Sequence, residues 1–445
     1  MTLSEIDGQN ALARQEVGER PASRRLPNHT VSEILVPLST AVDLAEGREV
    51  GHAQRVSFIA ASIATEMGLE PAERLAVCYA ALFHDVGVIP AGARLATLIR
   101  SDERLLFSSL PLLTPEEAAL GSGDATEEVI EQLVVHALEG ARFAQELGLP
   151  DDTVSGIATH HENWDGTGYP NALSGREIPL AGRICGLADQ IESMIGQASA
   201  LQARRNLTQW LWPMSGGFAD PDVILALRDL GARDEFWLGL YSTNPPAELT
   251  MICSRLRETK APRLLPMAEA FAQLVDARFP FTAGISTRVC SVAESLGRNA
   301  GLSDNRIRLL RVAALLHDLG QLSVSERIMA KPGILSVDEL EVLKLHPLYS
   351  SDIAAAIPGL EEVALWIGAH HERLDGKGYP EQLNAADIPL EARILAIADT
   401  YVAMTSDRPH RPRIASSEAL RRLRTAAGAQ LDGALVDLFI SSDES

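Results

Sequence analysis

The sequence predicts an all-α fold built from two tandem copies of one helical domain. Apolar residues recur at helical spacing ahead of a His-Asp pair, as at Ile307, Leu310 and Ala314 in the second half of the chain. Capping boxes mark helix starts at 114–117 and 336–339. Runs of alternating apolar and polar residues rich in Val, Ile and Thr are nearly absent, so we expect almost no sheet.

The elements follow in chain order from the same signals. Residues 1–32 carry Gly, Asn, Pro and mixed charge without periodicity, which predicts a flexible tail. We expect a first domain over 33–258 and a second over 259–445, because prolines between Pro245 and Pro262 mark a junction. In each domain a helix leads to the His-Asp pair, another begins at the capping box, and a Gly-Tyr-Pro loop follows a third.

A long internal repeat defines the two copies. An eleven-residue segment that begins at His160 returns at His370 with eight identical positions, reading His-His-Glu-x-x-Asp-Gly-x-Gly-Tyr-Pro. Arg183 and Arg393 belong to a further matching segment at the same offset of 210 residues. The His-Asp pairs are 233 residues apart, so the first copy holds 23 extra residues between its pair and His136.

Composition excludes several classes of function. The 445 residues include 39 Lys and Arg against 60 Asp and Glu, and this net charge of −21 argues against broad binding to DNA or to an anionic membrane. The four cysteines form no Cys-x-x-Cys, so we expect neither a zinc knuckle nor disulfides, and a reducing cytoplasm fits. Without an apolar run of ~18 residues or a leader-like N-terminus, we expect no export and no membrane span.

Clustered histidines predict metal binding. Nine of the 11 histidines fall at landmarks of the repeat, accompanied by aspartates. Imidazole and carboxylate groups in this number suit two divalent ions of Fe, Mn, Ni or Zn. Two ions ~3.5–4 Å apart can share a carboxylate and a water, whose pKa they lower towards neutrality. The landmark residues are His52, His84, Asp85, His136, His160, His161 and Asp189 in the first copy, and His317, Asp318, His346, His370, His371 and Asp399 in the second.

A His-Asp pair followed by His-His-Glu-x-x-Asp-Gly-x-Gly-Tyr-Pro resembles the HD-GYP family of metal-dependent phosphodiesterases, and the resemblance covers most of the chain twice. It implies two tandem helical HD-GYP domains, a centre of two or three metals, and hydrolysis of cyclic di-GMP to pGpG or GMP. Because members of the family associate through their helical cores, it also implies that the two copies pack as an internal pseudo-dimer.

The resemblance gives the first copy a complete set of metal ligands. The set comprises His52, His84 and Asp189 for one ion, His136, His160 and His161 for the other, and Asp85 as the bridge. His84 and Asp85 would be the catalytic pair. Some relatives bind a third metal through a glutamate at the position that Arg48 occupies here. We therefore expect two divalent ions in the first copy, with Fe or Mn favoured over Ni or Zn.

The second copy departs from this set. Ile285 stands 32 residues before His317, where His52 stands relative to the first pair, so we expect between zero and two ions in this copy. Both copies also lack the lysine of the family's His-Asp-x-Gly-Lys, since Val88 and Gln321 stand there. The resemblance assigns that lysine to contact with substrate phosphate or to the reaction.

Four arginines are predicted to contact substrate. They are Arg183, Arg393, Arg408 and Arg411. Arg408 and Arg411 lie in a Ser-Asp-Arg-Pro-His-Arg segment that resembles a phosphate-contacting element of the family. The first copy has Ala198 and Leu201 at those two positions.

Three functions are compatible with these residues. In the first, the protein is a cytoplasmic phosphodiesterase whose first copy hydrolyses a cyclic dinucleotide while the second is regulatory or partly active. The second is a degenerate pair that binds a nucleotide or docks a signalling protein without turnover, as Val88, Gln321 and Ile285 suggest. The third is another HD-type reaction, either hydrolysis of a different nucleotide or di-iron oxygenase chemistry. The predicted partners are a cyclic dinucleotide and a signalling protein or second copy of the chain, with neither DNA nor a membrane.

Overall fold

The predicted all-α fold is confirmed. The structure is a computed structural model that describes residues 29–99, 102–123, 126–196, 198–242, 264–279, 281–409 and 411–443, and within these ranges it contains helices and no strand. Most of the predicted tail and the predicted junction between the copies lie outside the described residues. The first helix begins at Val31, inside the last part of the predicted tail.

The helices are numbered along the chain. Those of the first copy are α1 Val31–Glu46, α2 His52–Glu66, α3 Pro71–Leu82, α4 Val88–Leu98, α5 Glu103–Phe107, α6 Pro115–Ser122, α7 Glu127–Glu146, α8 Asp151–Ala158, α9 Leu180–Ile195, α10 Ala200–Met214, α11 Pro221–Gly231 and α12 Asp234–Leu240. Those of the second copy are α13 Leu264–Arg278, α14 Ile285–Asn299, α15 Asp304–Leu316, α16 Glu326–Met329, α17 Val337–Lys344, α18 His346–Ala355, α19 Glu361–Gly368, α20 Leu390–Met404, α21 Ser416–Ala426 and α22 Gly433–Asp443. A search of the described helices for one long and apolar enough to span a bilayer finds none.

Both predicted capping boxes are present. Thr114 accepts a hydrogen bond from the Glu117 N–H at the start of α6, and Ser336 does the same for Glu339 at the start of α17. In each case the glutamate side chain bonds back to the cap backbone, so that two N–H groups of the first turn are satisfied. The local sequence therefore sets where these helices begin.

The copies differ in the helix that carries the middle histidine. In the first copy α7 runs without a break through His136. In the second copy the matching stretch is divided into α17 and α18, and His346 begins α18 with Pro347 after it. Proline has no N–H to continue a helix but fits its first turn, which explains why a new helix starts there.

The two copies pack on each other through a shared apolar core, as the predicted pseudo-dimer requires. Phe271 of α13 contacts the ring of Phe83 at 5.9 Å between centroids and that of Phe143 at 5.5 Å. α13 also packs against α4 of the first copy. A separate apolar cluster, formed by α2, α9 and α10 to α12, belongs to the first copy alone.

Polar contacts between the copies come from the segment that is longer in the first copy. Arg278 of α13 is fully buried and donates to the buried carboxylate of Glu103 in α5. The same carboxylate accepts the backbone N–H of Glu326 at 3.2 Å. Arg104 donates to the carbonyl of Ser323 at 2.5 Å. The additional residues of the first copy thus help to join the two copies.

Candidate metal centre

A close backbone approach brings the first His-Asp pair to α7. His84 and Asp85 follow the end of α3, and Gly87 lies against the middle of α7. A Cβ at Gly87 would be 1.9 Å from the carbonyl oxygen of His136, so only glycine fits at this contact. Gly320 makes the same approach to His346 in the second copy. The aspartate of each pair is thereby set beside the middle histidine.

Asp85 lies between two groups of candidate ligands. Its Oδ2 is 3.3 Å from Nε2 of His84, while Oδ1 is 3.2 Å from Nε2 of His136 and 3.3 Å from Nε2 of His160. The ligand atoms of each group lie within 4.8 Å of one another. The two groups are His52, His84 and Asp189, and Asp85, His136, His160 and His161. The grouping agrees with the division between two ions that the resemblance implied.

Hydrogen bonds fix the orientation of the imidazoles. Nδ1 of His84 lies 2.9 Å from the carbonyl of Ala81, and Nδ1 of His160 lies 2.7 Å from the carbonyl of Ile157. Nδ1 of His136 contacts a backbone carbonyl in the same way. Because a carbonyl can only accept, Nδ1 carries the proton when each ring is neutral, and Nε2 then has the lone pair that a metal requires.

His52 is oriented instead by a carboxylate that sequence reasoning missed. Nδ1 of His52 lies 2.6 Å from Oε2 of Glu192, and Arg55 donates to Oε1 of the same carboxylate at 2.6 Å. Burial opposes ionisation of Glu192, but the hydrogen bond from His52 outweighs it and lowers the pKa to about 2. Glu192 lies one helical turn after Asp189 in α9, and that spacing is the signal by which it could have been found.

The electrostatics of the site favour a cation. Burial disfavours protonated His84, but Asp85 and Asp189 outweigh this effect and raise the pKa of His84 to about 10. Burial also raises the pKa of Asp85, yet His84 and the neighbouring histidines bring it well below its ordinary value. The pKa of His161 is lowered by burial and by His160, which keeps that ring neutral. Carboxylates that attract protons into the site also favour a divalent cation there.

The Gly-Tyr-Pro loop packs directly against the site. The buried carboxylate of Glu162 accepts the N–H groups of Asn171 at 2.7 Å and Leu173 at 2.9 Å, which holds the loop in place. The ring of Tyr169 stacks on His161 with 4.6 Å between centroids. Burial and then Asp85 raise the pKa of the Tyr169 hydroxyl well above its ordinary value. The loop therefore supports a candidate ligand and keeps a neutral hydroxyl close to it.

The residues present fit a pair of divalent ions. Several buried polar atoms of the site have no hydrogen-bond partner, an arrangement that is unfavourable unless another group satisfies them. Each of these atoms is an imidazole nitrogen or carboxylate oxygen, the donor types that Fe, Mn, Ni and Zn accept. They are His52 Nε2, His84 Nε2, Asp85 Oδ1, His160 Nε2 and Asp189 Oδ1.

The second copy keeps one of its two groups in similar form. His346, His370 and His371 lie together as the corresponding histidines do in the first copy. Asp318 is 3.3 Å from Nε2 of His317 and 3.3 Å from Nε2 of His346. Tyr379 packs on His371 with 4.8 Å between ring centroids.

The other group of the second copy is incomplete. Ile285, at the position of His52, is buried and apolar, and Val402 replaces Glu192 as well, so the ligand and the carboxylate that orients it are both missing. Asp399 is 4.0 Å from Nε2 of His317, and burial raises its pKa, which disfavours the charged form that binds a metal. This group therefore has fewer ligands, and a less readily ionised carboxylate, than the corresponding group of the first copy.

The four predicted substrate arginines have different surroundings. Arg183 donates to Asp220 at 2.5 Å, and Arg393 donates to Asp432 at 3.1 Å. Arg411 donates to the carbonyl of Ala403 near the end of α20 at 2.7 Å. The positive charge of Arg408 favours the ionised forms of Asp318 and Asp399 in the second cluster, although burial leaves the pKa of Asp399 raised and His317 does more than Arg408 to lower that of Asp318. Of the four, Arg408 is the one whose described interactions are with aspartates of a metal-ligand cluster. Contact with substrate stays a prediction for all four.

The positions of the missing lysines are occupied differently. Val88 is fully buried at the start of α4. Gln321 is half-buried in the short 3₁₀ turn Leu319–Ser323. Neither side chain carries a charge that would replace the lysine.

Comparison with known proteins finds helical HD proteins over both copies. A family model described as HD domain matches residues 106–221 and 269–435. The chain is 30% identical over 424 residues to 3′3′-cGAMP-specific phosphodiesterase 3 of Vibrio cholerae, covering 88% of this chain and 89% of that protein. It is 34% identical over 174 residues to the cyclic di-GMP phosphodiesterase response regulator RpfG of Xanthomonas campestris, covering 38% of this chain and 45% of that protein.

A solved structure resembles the whole chain. The crystal structure of the cyclic GMP-AMP-specific phosphodiesterase V-cGAP3 of Vibrio cholerae superposes with a TM-score of 0.67 at 26% identity. The match covers 94% of this chain and 98% of that one. The similarity therefore extends to the tandem arrangement as well as to each copy.

Proposed function

Since the chain belongs to the HD-domain family and is of the HD-GYP type, we propose that its first copy is a metal-dependent phosphodiesterase that hydrolyses a cyclic dinucleotide. The observation that carries the proposal is the position of Asp85 between two groups of candidate ligands. The Nε2 atoms of His84 in one group and His160 in the other are buried without a hydrogen-bond partner. Proteins of this family that cleave phosphodiesters are metal-dependent, and the donor set of the first copy suits that requirement.

The proposed roles follow from the geometry. His52, His84 and Asp189 would hold one ion, and His136, His160 and His161 the other, with Asp85 common to both. Two divalent ions bound in this way supply Lewis acidity and lower the pKa of water. Backbone carbonyls and Glu192 hold the rings in the tautomer that leaves Nε2 free. Tyr169 covers His161 and limits access of solvent to it.

The substrate within the class is a separate step of the proposal. The motif alone favours cyclic di-GMP, with pGpG or GMP as product. The relative that matches nearly the whole chain is named for 3′3′-cGAMP and the solved structure for cyclic GMP-AMP, whereas RpfG, named for cyclic di-GMP, matches 38% of the chain. We therefore favour 3′3′-cGAMP, with cyclic di-GMP as the alternative substrate.

The second copy is proposed to be a regulatory or weakly loaded partner. Loss of both His52 and Glu192 equivalents, at Ile285 and Val402, supports a weak site for one ion. Retention of Asp318 beside His317 and His346 supports binding of the other.

Metal content and turnover of matched variants test this assignment. We expect the wild type to bind at least two equivalents of Mn or Fe and to hydrolyse 3′3′-cGAMP or cyclic di-GMP. His160→Ala should lose the ion assigned to His136, His160 and His161 and reduce turnover to background, whereas His370→Ala, its counterpart in the second copy, should keep turnover. Equal activity of wild type and His160→Ala, or a wild type that binds no metal after reconstitution, would contradict the proposal.

A further inference from the structure

Arg48 lies in the short turn between α1 and α2, and the predicted ligand set gives it no role. Gly47 ends α1 with a φ of 79°, in the left-handed region, and the Arg48 N–H donates to the carbonyl of Asp43 at 2.9 Å. The buried carboxylate of Asp43 accepts the N–H groups of Gly51 at 2.6 Å and Ala53 at 2.9 Å. These bonds fix the backbone that carries Arg48.

The guanidinium of Arg48 is largely buried and only partly paired. Nε donates to Oε1 of the buried Glu46 at 2.6 Å, and 16% of the Arg48 side chain is exposed. Nη2 is buried and has no hydrogen-bond partner. A buried N–H of a charged group is unfavourable without an acceptor, so this donor is suited to an anionic ligand.

Arg48 stands four residues before the candidate ligand His52, and its charge interacts with an aspartate of each metal-ligand group. Burial disfavours the charged guanidinium, but Glu46, Asp189 and Asp85 outweigh burial and raise the pKa of Arg48 above its ordinary value. Asp189 belongs to one group of candidate ligands and Asp85 to the other. An anion held between the two groups would therefore be attracted by Arg48.

The second copy also has a guanidinium beside its aspartates but takes it from another segment. Arg408, which follows α20, interacts with both aspartates of that cluster. The position equivalent to Arg48 there is Phe281, and the position equivalent to Arg408 in the first copy is Ala198. Each copy thus has one arginine near its pair of aspartates, from a position that the other copy does not use.

We propose that Arg48 is a substrate-binding residue of the first copy, with Nη2 donating to a non-bridging phosphate oxygen of the cyclic dinucleotide. The inference rests on the proposed function and names one contact within the same site. The bond from Nε to Glu46 orients the planar guanidinium and leaves another of its N–H donors for the phosphate. The contact is made to substrate and not to a metal ion, so its loss should change substrate affinity and leave metal content unchanged.

Substitutions at Arg48 separate this role from a structural one. In Arg48→Gln the amide can still donate to Glu46 but the charge is lost, and in Arg48→Lys the charge is kept without the planar fork. Arg142→Ala, which removes an exposed arginine of α7, is the control with the same change in net charge. Each protein is reconstituted with Mn, and its metal content is measured. We then measure KM and kcat for 3′3′-cGAMP and for cyclic di-GMP, and the Kd for a bisphosphorothioate analogue of cyclic di-GMP.

We expect Arg48→Gln to raise KM and the analogue Kd by about 10- to 100-fold, the range of a hydrogen bond to a charged group. The KM and Kd of Arg48→Lys should lie between those of Arg48→Gln and the wild type. Metal content should be unchanged in all variants, and Arg142→Ala should have the KM and Kd of the wild type. If the wild type turns over substrate normally and Arg48→Gln has unaltered KM and Kd, the role of Arg48 is overturned while the proposed function stands. The same holds if Arg48→Gln loses metal without a change in its affinity for the analogue. A wild type that neither binds nor cleaves either nucleotide would overturn both proposals.

Discussion

His52 shows how a residue outside the ligand set prepares a candidate metal ligand. Its Nδ1 contacts Glu192, and Glu192 is in turn held by Arg55. A carboxylate behind a histidine fixes the tautomer and the direction of the ring and increases the basicity of the nitrogen that binds the metal. The free Nε2 of His52, buried without a partner, is the consequence of this arrangement.

Substitution of Glu192 should therefore weaken metal binding without removing a ligand. We expect Glu192→Gln to lower the affinity of the first copy for the ion assigned to His52, His84 and Asp189 by about 10- to 100-fold. Competition with a chelator, followed by metal analysis, measures the change. Glu131→Gln, an exposed substitution in α7, should behave as the wild type. If both variants retain metal equally, the orientation of His52 does not depend on the charge of Glu192.

Glu192 and Arg48 also mark the limit of what the sequence could predict at this scale. Apart from His52, whose position is taken by Ile285 in the second copy, the histidines and aspartates of the site were found because they occur in both copies, which a search for repeats detects. Glu192 and Arg48 are present in the first copy and replaced by Val402 and Phe281 in the second. Their importance depends on the packing of α9 against α2, which brings together segments far apart in the sequence.

Among the elements, the turn after each His-Asp pair depends on one very close contact. Gly87 lets the start of α4 meet α7, and the distance from its Cβ position to the carbonyl of His136 leaves no room for a side chain. Since Asp85 precedes this contact by two residues, the separation between Asp85 and His136 depends on it. The repeat predicted that the pair and the middle histidine belong together but not that a glycine joins them.

Alanine at this contact should disturb both stability and metal binding. Gly87 has an ordinary φ of −71°, so the expected cost arises from crowding, about 1–3 kcal/mol of unfolding free energy. Gly121 of α6 has no atom within 4 Å of its Cβ position, and Gly121→Ala should change stability by no more than about 1 kcal/mol. Urea unfolding and metal content are the measurements. A Gly87→Ala protein with the stability and metal content of Gly121→Ala would show that α4 and α7 can separate without cost.

At the scale of the whole molecule, the two copies have become unequal while remaining joined. The first copy keeps every residue of the predicted ligand set, and its additional segment supplies Glu103, which pairs with Arg278 of the second copy in complete burial. Neither residue lies in a repeated motif, and 175 positions separate them, so no local sequence pattern indicates the pair. The tandem arrangement could be predicted from the repeat, whereas the polar part of the interface depends on how the copies meet.

Glu326 makes this interface sensitive to pH. Burial and the neighbouring Glu103 raise the pKa of Glu326, Arg278 opposes them, and the result is about 7 against an ordinary value of 4.5. Between these values the folded protein keeps a proton that the unfolded chain has released. Rising pH therefore favours the unfolded chain in this window, and the contribution of Glu326 to stability falls from pH about 4.5 to about 7 and is constant above it.

Glutamine at position 326 should remove this dependence, because it stays neutral throughout. We expect the unfolding free energy of the wild type, measured relative to Glu326→Gln, to fall as pH rises from 4.5 to 7, while titration of other groups cancels between the two proteins. Urea unfolding at several pH values measures the difference, and Glu131→Gln serves as the exposed control. A difference that is constant across the window would mean that the pKa of Glu326 is the same in the folded protein as in the unfolded chain, with Arg278 offsetting the effects of burial and of Glu103.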